Sequence, residues 1–169
     1  MNNIIDKQNK IINPEDVEHL DTVLRHIKNV QDNAQLLGDR LIKGGEFELG
    51  KMLIANSMKH DNSKLFGIEW RYLRQNFKEN YPELFKQAAE NHVLTNKHHP
   101  EFFGGIENMP MIFLSECVCD WKARSTEFGN DLREWIKDKA TEKFNFTTKT
   151  RVYKDIKKFL DLLLDPEFK

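Results

Sequence analysis

Six histidines occur in 169 residues, and five of them fall in one series: His26, His60, His92, His98 and His99. Asp61 directly follows His60, and Asp120 lies further on. Imidazole nitrogens and carboxylate oxygens are the donors that bind Zn, Mn, Fe, Co or Ni. A single His-Asp pair says little. A histidine, then His-Asp, then a distant aspartate, with more histidines between, reads as a metal site assembled from several helices. The expectation is spatial: His26, His60, Asp61 and Asp120 converge on one point. The plainer alternative is that Asp61 caps the helix after it and the histidines pack.

The same series resembles the HD superfamily of metal-dependent phosphohydrolases. The string His60-Asp61-Asn62-Ser63-Lys64 is similar to that superfamily's His-Asp-x-Gly-Lys variant, with Ser63 in the glycine's place. His98-His99-Pro100-Glu101, followed by Gly104-Gly105, is similar to the paired histidines of two-metal members. The likeness covers roughly residues 20 to 125 and is nearest to small phage and bacterial proteins of this type. It implies one or two divalent transition-metal ions per chain. His92, His98 and His99 would then bind the second ion, with Asp61 as the bridge. Alternatively one or two of them, His99 included, contact substrate phosphate or line the cleft. The resemblance gives Lys64 the phosphate-contacting role. Arg124, one helical turn after Asp120, could serve likewise. Glu116, one turn before it, is either an acceptor behind a ligand or a catalytic base.

A bound metal lowers the pKa of its water and polarises a phosphoryl oxygen, and nearby cations offset the developing charge. The leading expectation is therefore a phosphohydrolase that uses a metal-activated water. Its substrate is a small phosphate ester, with nucleotides and deoxynucleotides foremost, and Asp61, Lys64 and Glu116 carry the chemistry. One alternative is a non-catalytic nucleotide- or protein-binding helical protein that keeps its metal for structure. Another is a di-iron oxygenase of the HD type, since histidine-rich ligation also suits iron.

Helices must position these residues. Asn13-Pro14-Glu15-Asp16 reads as a helix start, with a cap, a proline at the first position and acids in the first turn. Leu20, Val23, Ile27, Val30, Ala34, Leu37 and Leu41 then form one apolar stripe that runs to Gly44-Gly45. On that helix His26 sits about 40° from Val30, at the stripe's edge. Shorter helices are expected near 47–59, at 68–77, from Tyr81-Pro82 towards Pro100, from Met109-Pro110 past Asp120, around Leu132 to Ala140, and after Thr148. His92 and His99 would lie within about 20° of one helical face, and His98 would diverge unless the helix unwinds before Pro100. Residues 102–108 read as a loop. No alternating strand pattern stands out. The fold class is all-α: a loosely held arm at 1–12, then one compact domain of six to seven helices over 13–169, HD-like by resemblance.

Composition narrows the partners. Apolar residues make up 39% and charged residues 31%, which suits one solvated domain with one core. The net charge of −1 provides no global attraction to nucleic acid or an anionic membrane. No apolar run reaches the ~20 residues of a membrane helix, and residues 1–10 lack a signal-peptide core, so a cytoplasmic location is expected. Cys117 and Cys119 are two apart, point to different sides of a helix and read as reduced packing residues. Leu162-Leu163-Leu164 fits either a homodimer contact or a last core helix. The glycines match no phosphate-cradling fingerprint.

Overall fold

The Asn13 side chain accepts a hydrogen bond from the Glu15 amide at 3.0 Å and starts the longest helix, α1 (Pro14–Lys43), in a computed structural model that describes residues 13–165. The expected arm at 1–12 lies outside the described residues. Gly44 ends α1, its amide bonding back to Arg40 and Ile42 carbonyls. The buried stripe begins at Val23, one turn later than expected, because Leu20 is 38% exposed. The first turns of α1 lie over a short helix, α3 (Gly67–Tyr72). There the His19 ring lies tilted against Trp70 at 4.9 Å, Asp16 pairs with Arg74, and Leu20 is left outside.

Helix α2 (Phe47–Ser57) packs against α1 through two glycines. A Cβ on Gly50 would lie 2.5 Å from the Gly38 carbonyl oxygen, so the two backbones nearly touch. The expected helix at 68–77 is two pieces, α3 and α4 (Gln75–Asn80). Arg74 causes the break. Its backbone is extended, and its Nε donates to the Trp70 carbonyl that a continuing helix would have used.

Helix α5 (Pro82–Thr95) ends well before Pro100, because Asn96 turns extended and donates its side-chain amide to the His92 carbonyl. Residues 102–108, expected as loop, contain parts of two short 3-10 turns, Pro100–Phe103 and Ile106–Asn108.

The central helix α6 (Met111–Phe128) is buried at every position from Leu114 to Trp121, and Gly129 in the left-handed region (φ 69°) ends it. The chain then folds back through α7 (Leu132–Trp135), a π turn (Ile136–Ala140) and α8 (Thr141–Lys143). Thr150 caps the last helix, α9 (Arg151–Leu164), which buries Val152, Ile156, Phe159, Leu160 and Leu163. Leu162 and Leu164 pack at the core's margin, so the leucine run forms part of a core helix.

The fold is all-α, and no strand occurs among the described residues. Cys117 and Cys119 are free and fully packed, and burial pushes both thiols well up. Among the described residues no helix is long and apolar enough to cross a membrane.

Candidate metal centre

The chain reverses sharply between α2 and the 3-10 turn Asn62–Leu65, and Asp61 makes the bend in the left-handed region (φ 53°, ψ 17°). Few residues other than glycine adopt this conformation, and aspartate is among the most tolerant. The bend points the Asp61 carboxylate into the space between α1, α5 and α6. It makes no cap hydrogen bond to the following turn, so the plainer reading of Asp61 as a helix cap fails.

Each oxygen of this carboxylate faces a different set of donors. Oδ2 lies 3.3 Å from His26 Nε2 and 3.5 Å from His60 Nε2. Oδ1 lies 3.4 Å from His92 Nε2 and 3.3 Å from His98 Nε2. Asp120 Oδ1 approaches His26 Nε2 at 3.1 Å, and His99 Nε2 approaches His92 Nε2 at 2.9 Å. Two groups are His26, His60 and Asp120, and Asp61, His92, His98 and His99; a third, His60, His98 and Glu116, takes one histidine from each. Within each, the donor atoms lie within 4.8 Å of one another. All seven sequence-predicted ligands meet here. His98 reaches the cluster because α5 has already unwound.

These atoms are poorly served by one another. His26 Nε2, His60 Nε2, His98 Nε2, Asp61 Oδ1 and Asp120 Oδ1 are buried and lack an aligned hydrogen-bond partner. Each such orphan costs about 1–3 kcal/mol. Donors bound about 2.1 Å from one ion sit roughly 3.0–3.4 Å apart, and most neighbouring pairs here lie at 2.9–3.5 Å, with His60 Nε2 and Asp120 Oδ1 wider at 4.0 Å. The residues therefore fit one or two divalent cations.

The outer nitrogens support the same reading. His26 Nδ1 meets Glu127 Oε1 at 2.9 Å, His60 Nδ1 meets Glu116 Oε1 at 2.9 Å, and His92 Nδ1 meets Glu69 Oε2 at 2.8 Å. A carboxylate on Nδ1 fixes the ring and the tautomer that turns an Nε2 lone pair inward. Glu69 is itself held by the Ser63 hydroxyl at 2.8 Å and the Asn91 amide at 2.7 Å. Ser63 thus braces the histidine side of the cluster.

Charge in the site is sharply divided. Burial opposes a charge on His26, but Asp120 and Asp61 outweigh it and raise its pKa to about 9, so a cation bound at Nε2 would have to displace a proton. Burial pushes His98 down to about 3 and His99 to about 2, so both keep a lone pair at neutral pH. Burial would raise Asp61, yet the Lys64 ammonium and the neighbouring histidines hold it well below the usual carboxylate range. Asp120 is lowered in the same way, burial being outweighed by His26, His60 and His98.

Lys64 pairs with Asp61 Oδ2 at the edge of a cleft. Arg124 reaches that cleft too, and also pairs with Glu127 at 3.0 Å. Glu116 is 2% exposed and lies on the outer, Nδ1 side of His60, where the Asn56 amide also donates to it. His19 lines the same cleft beside His26. The sequence reading missed Glu69 and Glu127. Glu127 carried a signal, since Glu116, Asp120, Arg124 and Glu127 recur at helical spacing on α6. Glu69, on a helix of six residues, carried none.

Glu116→Gln separates its two expected roles. A brace for His60 predicts metal affinity lower by about 10–100-fold, and for any reaction the site performs a kcat that returns at saturating metal. Calorimetric Mn²⁺ titration beside kcat at saturating Mn²⁺ would check this. A kcat that stays depressed with the site full would make Glu116 the base.

Fold and cluster together define an all-helical protein with a buried histidine–carboxylate site whose donors could hold metal ions. Residues 15–166 match a family of unknown function, DUF5662, and the chain belongs to that family. No curated protein and no solved structure matches the chain.

Proposed function

We propose that this protein is a cytoplasmic, metal-dependent phosphohydrolase acting on a small phosphate ester, with nucleotides and deoxynucleotides foremost. The observation that carries this reading is Asp61. Its two oxygens face two separate sets of buried donors, the arrangement a carboxylate needs to bridge two ions. The resemblance to the HD superfamily points the same way. The donor set suits Mn, Fe, Co, Ni or Zn.

His26, His60, Asp120 and Asp61 would hold one ion; His92, His98, His99 and Asp61 would hold the other. Such ions supply Lewis acidity and a water acidic enough to lose its proton near neutral pH. The chain's residues provide the rest. Glu127, Glu116 and Glu69 keep three imidazoles turned inward. A cleft of about 400 Å³ opens on the cluster, walled by His26, His92, His99 and Asp120. Lys64, Arg74 and Arg124 line the same cleft. Their cations would bind phosphoryl oxygens and offset the negative charge that grows there during transfer.

The test is direct. Protein loaded in turn with Mn²⁺, Co²⁺, Ni²⁺, Zn²⁺ and anaerobic Fe²⁺ is offered nucleoside mono-, di- and triphosphates and deoxynucleotides. Release of phosphate, pyrophosphate or triphosphate should occur with at least one metal and stop on chelation. Metal-replete protein that releases none of these would sink the reading.

A further inference from the structure

The cluster opens on two cavities. The second, of about 260 Å³, shares His99, Asp120 and Arg124 with the phosphate cleft but extends the other way, towards the end of α6. Its remaining wall is largely aromatic: Trp121, Phe128, Trp135 and Phe144. The chain has three tryptophans, and two of them are here. We infer that this cavity receives a planar, acceptor-bearing ring of the substrate, as a nucleobase is, while the phosphate sits at the cluster. This deepens the phosphohydrolase reading and rests on it.

Shape is the first argument. Trp121 and Phe144 lie nearly parallel, 17° apart with centroids at 5.4 Å, and Trp135 stands edge-on to Trp121 at 5.3 Å. Trp135 and Phe144 are only half-buried, and Phe128 is 70% exposed. Rings left open beside a cavity offer flat apolar faces to a planar ligand, and stacking on such faces tolerates any base. The size fits a ring better than a long chain, lying just below the usual range of small-molecule pockets.

Charge is the second. The cavity's cations are Arg124 and Lys143, and its one carboxylate, Asp120, belongs to the cluster. Lys143 Nζ stands 4.8 Å from the Phe144 ring centroid, at the edge of the aromatic wall. Asn130 adds an amide. Such a rim suits ring oxygens and nitrogens that accept hydrogen bonds, and it suits a purely aliphatic group poorly.

The third argument is the backbone. The π turn Ile136–Ala140 lies between Trp135 and the Lys143–Phe144 pair. A π turn carries one extra residue, which rotates everything after it by about 100°, and such turns often sit at functional sites. Here it sets the register at which α8 presents its side chains to the cavity.

Binding and turnover are measured separately, so that failure of the pocket and failure of the hydrolase are distinguishable. Mn²⁺-loaded protein is titrated with adenosine, inosine, cytidine, uridine and ribose, following tryptophan fluorescence. At least one nucleoside should quench the emission and bind tenfold or more tighter than ribose. Trp135→Leu should lower that affinity about tenfold. Lys143→Ala, an exposed change that cannot disturb the core, should lower it severalfold. Thermal melts establish that both variants fold. Nucleosides that bind no better than ribose would overturn the inference, as would unchanged affinity in both folded variants. In the turnover arm, kcat/KM for AMP should exceed that for ribose 5-phosphate by at least tenfold, and Trp135→Leu should reduce only the former. Equal hydrolysis of both would keep the phosphohydrolase and overturn the pocket. Nucleoside quenching lost in the variants, without turnover of any ester, would keep the pocket and sink the phosphohydrolase.

Discussion

Asp61→Asn should strip metal from both halves of the cluster and cut phosphate-ester hydrolysis by about 1,000-fold, the order lost when one preorganised electrostatic group is removed. The argument is that Asp61 turns one carboxylate oxygen to each donor set. His26 and His60 lie at 3.3 and 3.5 Å from one oxygen; His92 and His98 lie at 3.4 and 3.3 Å from the other. Removing this charge damages both sets, and it also releases Lys64 from its partner. Asparagine is the sharper probe than alanine. It preserves the shape of the side chain, and it tolerates the φ of 53° that the bend requires. A loss of metal would therefore report on charge rather than on a broken turn. Elemental mass spectrometry should find one or two transition-metal ions per wild-type chain and far fewer in the variant. Wild-type metal content and full activity in Asp61→Asn would remove the basis of the proposed function.

The second large effect is expected far from any donor. Gly50→Ala should lower stability by about 2 kcal/mol, a fall in Tm of roughly 4–8 °C for a chain of this size. Helix propensity alone would favour alanine by about 1 kcal/mol. The clash decides the sign. The new Cβ would stand 2.5 Å from the Gly38 carbonyl oxygen and 2.7 Å from Ile42, and the carbonyl is backbone that cannot rotate away. The helices must separate. Because α1 carries His26 and α2 leads directly into His60-Asp61, separation also moves the halves of one donor set apart. Mn²⁺ affinity should fall along with Tm. Thermal melts with and without chelator, beside a metal titration, would check both. A variant as stable as wild type would show that the crossing can relax at little cost.

The donors were legible in the sequence because histidine is scarce and its spacing here is unusual. Their convergence follows from long-range packing that no local pattern encodes. The carboxylates behind the histidines were harder to see. Glutamate is common on helix surfaces, so Glu69 and Glu127 look like solvated positions until the fold turns them inward. Helix stops were misread where a side chain, rather than proline or glycine, satisfied the backbone. Asn96 ends α5 and Arg74 ends α3 in this way, and neither residue type signals a boundary by itself. Leu20 has the periodicity of the buried stripe and is nonetheless 38% exposed. The two-glycine crossing left only isolated glycines inside helices, whose meaning depends on each other.

The cluster draws on residues as far apart as His26 and Asp120. Bringing them together closes several long loops, so its geometry is among the last features a refolding chain can reach. Ion capture would then trail the formation of helical signal, and its lag would time the docking of α6 onto α1 and of α5 onto α3.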